Sequence, residues 1–340
     1  MKKFKQILRL GIVMLLLFSC EDPDTVVTNY VHPDGSVTRK VVMKRTSEIN
    51  VPWHHQVPVD SSWNITKTLI PGETDTTWVV TAEKFFASAD EINEAYRADS
   101  GSNRMLVRSA SFKRSFRWFY TFYRYSEKVE RILFAEVKAE QFFTQEDISY
   151  FYMPAAMRDS LRQGADSLMY IEKWALMDTL ETQYLNRGMV EAWCAVYLEA
   201  NPEDSAFIHS RKELLTELML PEELSDDSIF SKAFGQDYTE RKKEYLEQSV
   251  AEFDTLFEKA MNAKFYTCET IMPGKLIATN GFPDHSFKVS WPVDAKYFLS
   301  QDYEMWAESK TFNIWAWMVS GGFVLFVLLG LVWRWLKEKV

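Results

Sequence analysis

The residue types that most often do chemistry are thinly spread in this chain: three cysteines and five histidines in 340 residues. None of His32, His54, His55, His209 and His285 pairs with another one helical turn away beside a glutamate, the arrangement that holds zinc. His54 and His55 are adjacent, so on a strand they face opposite ways, and a solvated loop suits them better than a shared metal. The sequence contains no Gly-x-Ser-x-Gly elbow, no P-loop and no paired-cysteine motif, and it implies no cofactor and no metal. Glu127, following an aromatic-rich run, is the carboxylate that could serve as a catalytic acid, but no partner for it can be read from the sequence. Cys194 lies in a helical pattern, Cys268 beyond it. A Cys194–Cys268 disulfide would close a loop of about 75 residues and contribute about 4 kcal/mol. Two small buried thiols are the other reading.

The third cysteine differs from these two. Lys2, Lys3, Lys5 and Arg9 form a basic start, and residues 10–18 form an apolar run too short to span a bilayer, the pattern of an export signal. It ends in Leu17-Phe18-Ser19-Cys20, a small residue directly before a cysteine. This resembles the lipobox of bacterial lipoproteins. The resemblance implies that residues 1–19 are removed and that the Cys20 thiol carries a diacylglycerol. Residues 20–30, opening with Glu21-Asp22-Pro23-Asp24, are then expected to be an extended lipidated tether.

At the other end, residues 312–333 carry no charge and as a helix reach about 33 Å, enough to cross a hydrocarbon core. Trp315, Trp317, Trp333 and Trp335 flank the run, where indoles favour the interface. Arg334, Lys337 and Lys339 follow, and the positive-inside rule puts residues 334–340 in the cytoplasm. Both ends thus predict an ectodomain on the outer, periplasmic side of a bacterial cytoplasmic membrane. Insertion of the lipid into an outer membrane is the alternative. The formal charge is −9 for the whole chain, −13 without the four cations of the leader, and −15 once the tail is also set aside. Such acidity predicts repulsion of nucleic acid and of anionic headgroups.

A short pattern recurs along the ectodomain. Asp followed by Ser or Thr and then an aliphatic residue or Thr occurs eight times among 19 aspartates, against about one expected from average usage. The hydroxyls are Thr25, Thr76, Ser160, Ser167, Thr179, Ser205, Ser228 and Thr255. The triplet resembles the O-glycosylation acceptor motif of Bacteroidota, which implies glycans on the exposed copies. Helix caps and turns are the alternative, since Asp, Ser and Thr favour both. Capping suits Asp204 and Asp227 better than Asp178 and Asp254, which fall inside helical patterns, and this favours the glycan reading.

These residues sit on an α+β pattern. Residues 31–143 read as β-rich, opening with two alternating runs joined by Pro33-Asp34-Gly35-Ser36, a hairpin signal. Ser88-Ala89-Asp90-Glu91 is a capping box. Phe116, Trp118, Tyr120 and Phe122 are expected on one face of an extended strand with Phe119 and Tyr123 on the other, which predicts a central position in a sheet. Residues 144–264 read as a helical insertion whose last helix carries the stripe Leu246, Val250, Phe253 and Phe257. Residues 265–311 return to strands. The expectation is one antiparallel sheet with strands from both chain ends.

Two functions fit. The first is a non-catalytic envelope lipoprotein that binds an apolar ligand or a protein partner. Its layout resembles that of LppM-type lipoproteins through the lipobox, the Asp34-Gly35 hairpin, Trp291 and the single C-terminal span. The second is an enzyme acting on cell-wall or surface glycans through carboxylates such as Glu127. An apolar pocket would favour the first, an open cleft with two facing carboxylates the second.

Overall fold

The computed structural model describes residues 24–45, 56–71, 76–101, 103–133, 136–164, 167–218, 232–233, 235, 259–260 and 263–337. Cys20 and the export signal, His54, His55, the 246–257 stripe, Ser228 and Thr255 lie outside them, as do the side chains of Thr76 and Ser167.

The strands are β1 (Asp24–Val31), β2 (Val37–Arg45), β3 (Asn64–Pro71), β4 (Thr76–Phe86), β5 (Arg108–Phe116), β6 (Tyr120–Val129), β7 (Tyr266–Ile271), β8 (Lys275–Thr279), β9 (Phe282–Pro283), β10 (Lys288–Val293) and β11 (Tyr303–Phe312). Helices are α1 (Ala89–Arg97), α2 (Gln145–Phe151), α3 (Ala155–Gly164), α4 (Ser167–Ala200), α5 (Ser205–Leu218), α6 (Ala295–Phe298) and α7 (Ile314–Lys337). The class is α+β, with strands from both chain ends, a helical insertion and one C-terminal helix apolar enough to cross a membrane.

Local chemistry explains the elements that the sequence marked. Asp34 accepts from the Ser36 amide at 3.0 Å and Gly35 takes φ +95°, which closes the β1–β2 hairpin. Ser88 caps α1 by accepting from the Glu91 amide, and Glu91 reaches back to the Ala87 amide at 2.7 Å. β1 begins at Asp24, so the expected tether over 20–30 is corrected: residues 24–30 are a strand buried at the centre of a sheet.

Among the described residues the expected single sheet is two. One has seven strands in the order β3-β4-β2-β1-β7-β10-β9, with β1 and β7 parallel; the other has four, β5-β6-β11-β8. The chain passes between them repeatedly, and at Pro273-Gly274 β7 of the first leads directly into β8 of the second. There Gly274 takes φ +77°, and a Cβ on it would press on the Lys310 carbonyl. Inward side chains of both sheets share one core, in which Val27, Val37 and Val41 of the first meet Tyr123, Tyr125, Met305 and Ala307 of the second. Trp291 is part of this core, its indole donating to Asn280 at 3.0 Å.

The insertion docks through aromatic rings. Tyr184 of α4 meets Phe142, Phe143 and Phe151, and Lys296 of α6 pairs with Glu181 of α4 at 2.9 Å. Farther along α4, Val190, Trp193, Cys194 and Tyr197 pack with Ile208 and Leu215 of α5 in a second, smaller core.

Candidate functional site

β6 alternates strictly, turning Thr121, Tyr123, Tyr125, Glu127 and Val129 inward. A carboxylate in that row enters the space between the sheets. Glu127 is 5% exposed, and the Arg39 guanidinium of β2 meets it at 2.6 Å from the opposite sheet. Its Oε1 also accepts from Asn29 at 2.7 Å and from the Tyr125 hydroxyl at 2.8 Å, while Oε2 accepts from the Tyr96 hydroxyl of α1. Arg39 donates further to Asn29 at 2.8 Å and to Tyr96 at 2.9 Å. Burial opposes the Arg39 cation, but Glu127, followed by Tyr96, Tyr125 and Cys268, holds its pKa well above the usual arginine value. Burial pushes Tyr96 and Tyr125 well up as phenols. A second buried pair, Arg108 with Asp99, backs this group, and the Arg108 guanidinium lies 4.4 Å from the centre of the Tyr96 ring.

This arrangement locks two sheets and a helix together. It leaves Glu127 out of reach of solvent and surrounded by donors, with no open face. The candidate acid is therefore a structural acceptor. Among the described residues no group of three or more His, Cys, Asp or Glu could hold a metal ion.

The Cys194–Cys268 disulfide is not formed. Both thiols are free and buried: Cys194 in the α4–α5 core, Cys268 on β7, where Asn29 donates to its sulfur at 3.7 Å. They belong to different cores, which no side-chain motion brings together. Burial pushes the Cys194 thiol up to about 12 and Cys268 well above the normal thiol range, so neither is a nucleophile.

The acceptor triplets divide by burial. Ser160 in α3, Thr179 in α4 and Ser205 at the start of α5 are exposed, whereas Thr25 in β1 is fully buried. Thr25 is corrected as a glycan site, because no bulky group fits inside the sheet. Asp204 immediately precedes α5, a capping position, but Asp159 and Asp178 lie within α3 and α4, where capping does not account for them.

The feature the sequence concealed is at the other end of the four-stranded sheet. The run expected as one strand through Tyr123 is a hairpin, β5 and β6 joined by Trp118-Phe119, with Arg117 and Tyr120 exchanging backbone bonds at 2.7 and 3.1 Å. Central placement holds for β6, which lies between β5 and β11. β11 passes into α7 through Asn313 alone. The Asn313 side chain donates to the carbonyls of Arg117 and Trp118 at 2.7 and 3.2 Å and accepts from Thr121 at 2.9 Å, and its carbonyl takes the Ala316 amide at 2.9 Å. The hairpin tip leans on the helix: Phe116 stacks on Trp315, Trp118 meets Trp315 edge-on, and Phe119 packs on Trp317 at 4.4 Å between ring centres. Because β11 consumes Phe312 and Asn313 caps the turn, the helix starts at Ile314 rather than Phe312 and runs to Lys337.

No family model matches this chain, and no curated protein does. Among solved structures it is similar to the NMR structure of the folded domain of the Mycobacterium tuberculosis LppM protein, with 8% identity over 86% of this chain and 92% of that one. The TM-score is 0.28, at which the likeness carries nothing about shared fold or function.

Proposed function

We propose that this chain is a non-catalytic cell-envelope lipoprotein held at the membrane twice, by a lipid on Cys20 and by α7. Its folded part then stands on the periplasmic face of the cytoplasmic membrane, where it engages a protein partner. One observation carries the reading. α7 is a 24-residue apolar helix with every side chain but Ala316 and Ser320 exposed, and a hydrogen-bonded turn joins it to the sheet. A helix apolar on all sides, and packed on the rest of the chain only at its first turns, needs lipid to cover it. A protein partner is favoured by β3, an edge strand exposed along its whole length, with Ile65, Leu69 and Ile70 open to solvent. The glycan-enzyme alternative loses its proposed acid, because Arg39, Asn29, Tyr96 and Tyr125 occupy Glu127.

The test is biochemical. The native chain should incorporate a palmitate analogue and resist extraction by alkaline carbonate. Cys20→Ala should lose the label and accumulate as precursor while staying in the membrane fraction. A reporter that works only in the cytoplasm should be active when fused after Val340. Undiminished labelling of Cys20→Ala would refute the lipid anchor, and a carbonate-soluble chain would refute the span.

A further inference from the structure

We propose that the tip of the β5–β6 hairpin is a lipid-binding element. Phe116 and Trp118 seat in the interfacial layer of the membrane that α7 crosses, and Arg114, Arg117, Lys275 and Lys310 bind the phosphates of anionic headgroups. The proposal rests on reading α7 as a span.

Geometry ties the tip to the helix. β5 buries alternate residues as far as Ala110, and beyond Phe112 every residue through Trp118 is exposed, so the hairpin overshoots the core. The overshoot follows α7 downward. The Trp118 indole donates to the Ser320 hydroxyl at 2.9 Å, and Ser320 lies six residues past Ile314, about 9 Å along the helix. Any bilayer that covers the helix from its first turns also meets the tip. Phe116 is 54% and Trp118 48% exposed without it. The Trp118 indole, an aromatic ring with one polar atom, favours the layer between hydrocarbon and water, and Phe116 adds apolar surface beside it.

Charge points the same way. The overall acidity predicted repulsion from anionic headgroups, but the charge is unevenly placed. From Phe112 to Tyr123 the chain has Lys113, Arg114 and Arg117 and no acid. Across the sheet Lys310 lies opposite Phe122 on one side and Lys275 on the other, and its ammonium sits 5.0 Å from the Tyr120 ring. Glu304 and Glu308, the nearest acids on β11, are engaged by Arg124 farther from the helix. Among the described residues Arg114, Arg117, Lys275 and Lys310 have no ion-pair partner. Long basic side chains reach a headgroup layer while their stems cover apolar surface.

The test uses the full chain in vesicles of phosphatidylcholine alone or mixed with phosphatidylglycerol. Ser115→Cys at the tip and Thr68→Cys on β3 each carry an environment-sensitive fluorophore, the unsubstituted chain serves as blank, and a headgroup-level spin-labelled lipid is the quencher. The expected result is several-fold stronger quenching at Ser115 than at Thr68. It should increase with phosphatidylglycerol and fall in the Arg114→Gln/Arg117→Gln/Lys310→Gln variant. Equal quenching at the two sites, or quenching at Ser115 indifferent to both the anionic lipid and the three substitutions, overturns the proposal. Alkaline carbonate applied to the same vesicles separates the two readings. Stripped chain overturns the span itself, whereas retained chain with an unquenched tip overturns only the hairpin's role.

Discussion

Glu127 and Arg39 are 88 positions apart in the chain and meet at 2.6 Å in its interior. Nothing local to Glu127 announces this, which is why the sequence leaves it as a lone carboxylate open to a catalytic reading. Its inward direction was implicit in the alternation of β6; the cation it faces comes from another sheet, and sequence spacing does not report pairing of that range. Removing one member of a buried pair strands the other charge, at a cost of about 3–5 kcal/mol. Arg39→Met and Glu127→Leu should each destabilise the detergent-solubilised chain by that order in urea unfolding. The double variant should lose less than the sum, with a coupling of about 1–3 kcal/mol, because it leaves no unpaired charge. Losses that simply add would show that the two residues act independently. A catalytic acid behaves otherwise, its removal leaving a stable, inactive protein.

At the scale of elements, turns built from special backbone chemistry were readable and turns built from packing were not. Pro33-Asp34-Gly35-Ser36 is specified by an aspartate that accepts from the backbone and a glycine at positive φ. Trp118-Phe119 has neither device, and neither residue takes a positive φ. Phe116, Trp118 and Phe119 instead pack on Trp315 and Trp317 of a helix nearly 200 positions later (Trp118 and Ser320 are separated by 202). Aromatics on both sides therefore read as one long strand. Gly274 tests the complementary case, a turn set by close approach. Alanine there would take an unfavourable φ and press its Cβ on the Lys310 carbonyl and the Thr311 methyl. A loss of about 1–3 kcal/mol is expected. Gly330→Ala, where a Cβ meets nothing, is the matched control and should leave the melting temperature unchanged or slightly raised. Equal melting temperatures for the two variants would mean that the β7–β8 crossover tolerates a shift of the β11 backbone.

For the whole molecule, the class and the membrane-length helix were legible because hydrophobic period and run length are local properties. The division into two sheets was not, since it depends on where the chain crosses between them, at β4–β5, β6–β7, β7–β8, β8–β9 and β10–β11, and on pairings far apart in sequence. The acceptor triplets gain most from the fold, which sorts four of the eight, those of Thr25, Ser160, Thr179 and Ser205, by accessibility. Ser160, Thr179 and Ser205 are exposed and all lie on the helical insertion. The Ser160 and Thr179 hydroxyls donate to the carbonyls of Met157 and Ala175 in their own helices, at 2.8 and 3.0 Å. Those carbonyls can take helical amides as well, so capping either hydroxyl with a sugar removes a redundant bond and leaves the helix standing. If the triplets are glycan acceptors, peptides from the chain made in its own host should show hexose-containing mass additions at these three residues and none at Thr25. Asp159→Ala should remove the addition at Ser160 while leaving Thr179 modified, because each triplet is read locally. An unmodified intact mass would reduce the triplets to turn and cap chemistry. A sugar on Thr25 would mean that modification precedes folding of β1, since no sugar reaches a side chain buried at the middle of a seven-stranded sheet.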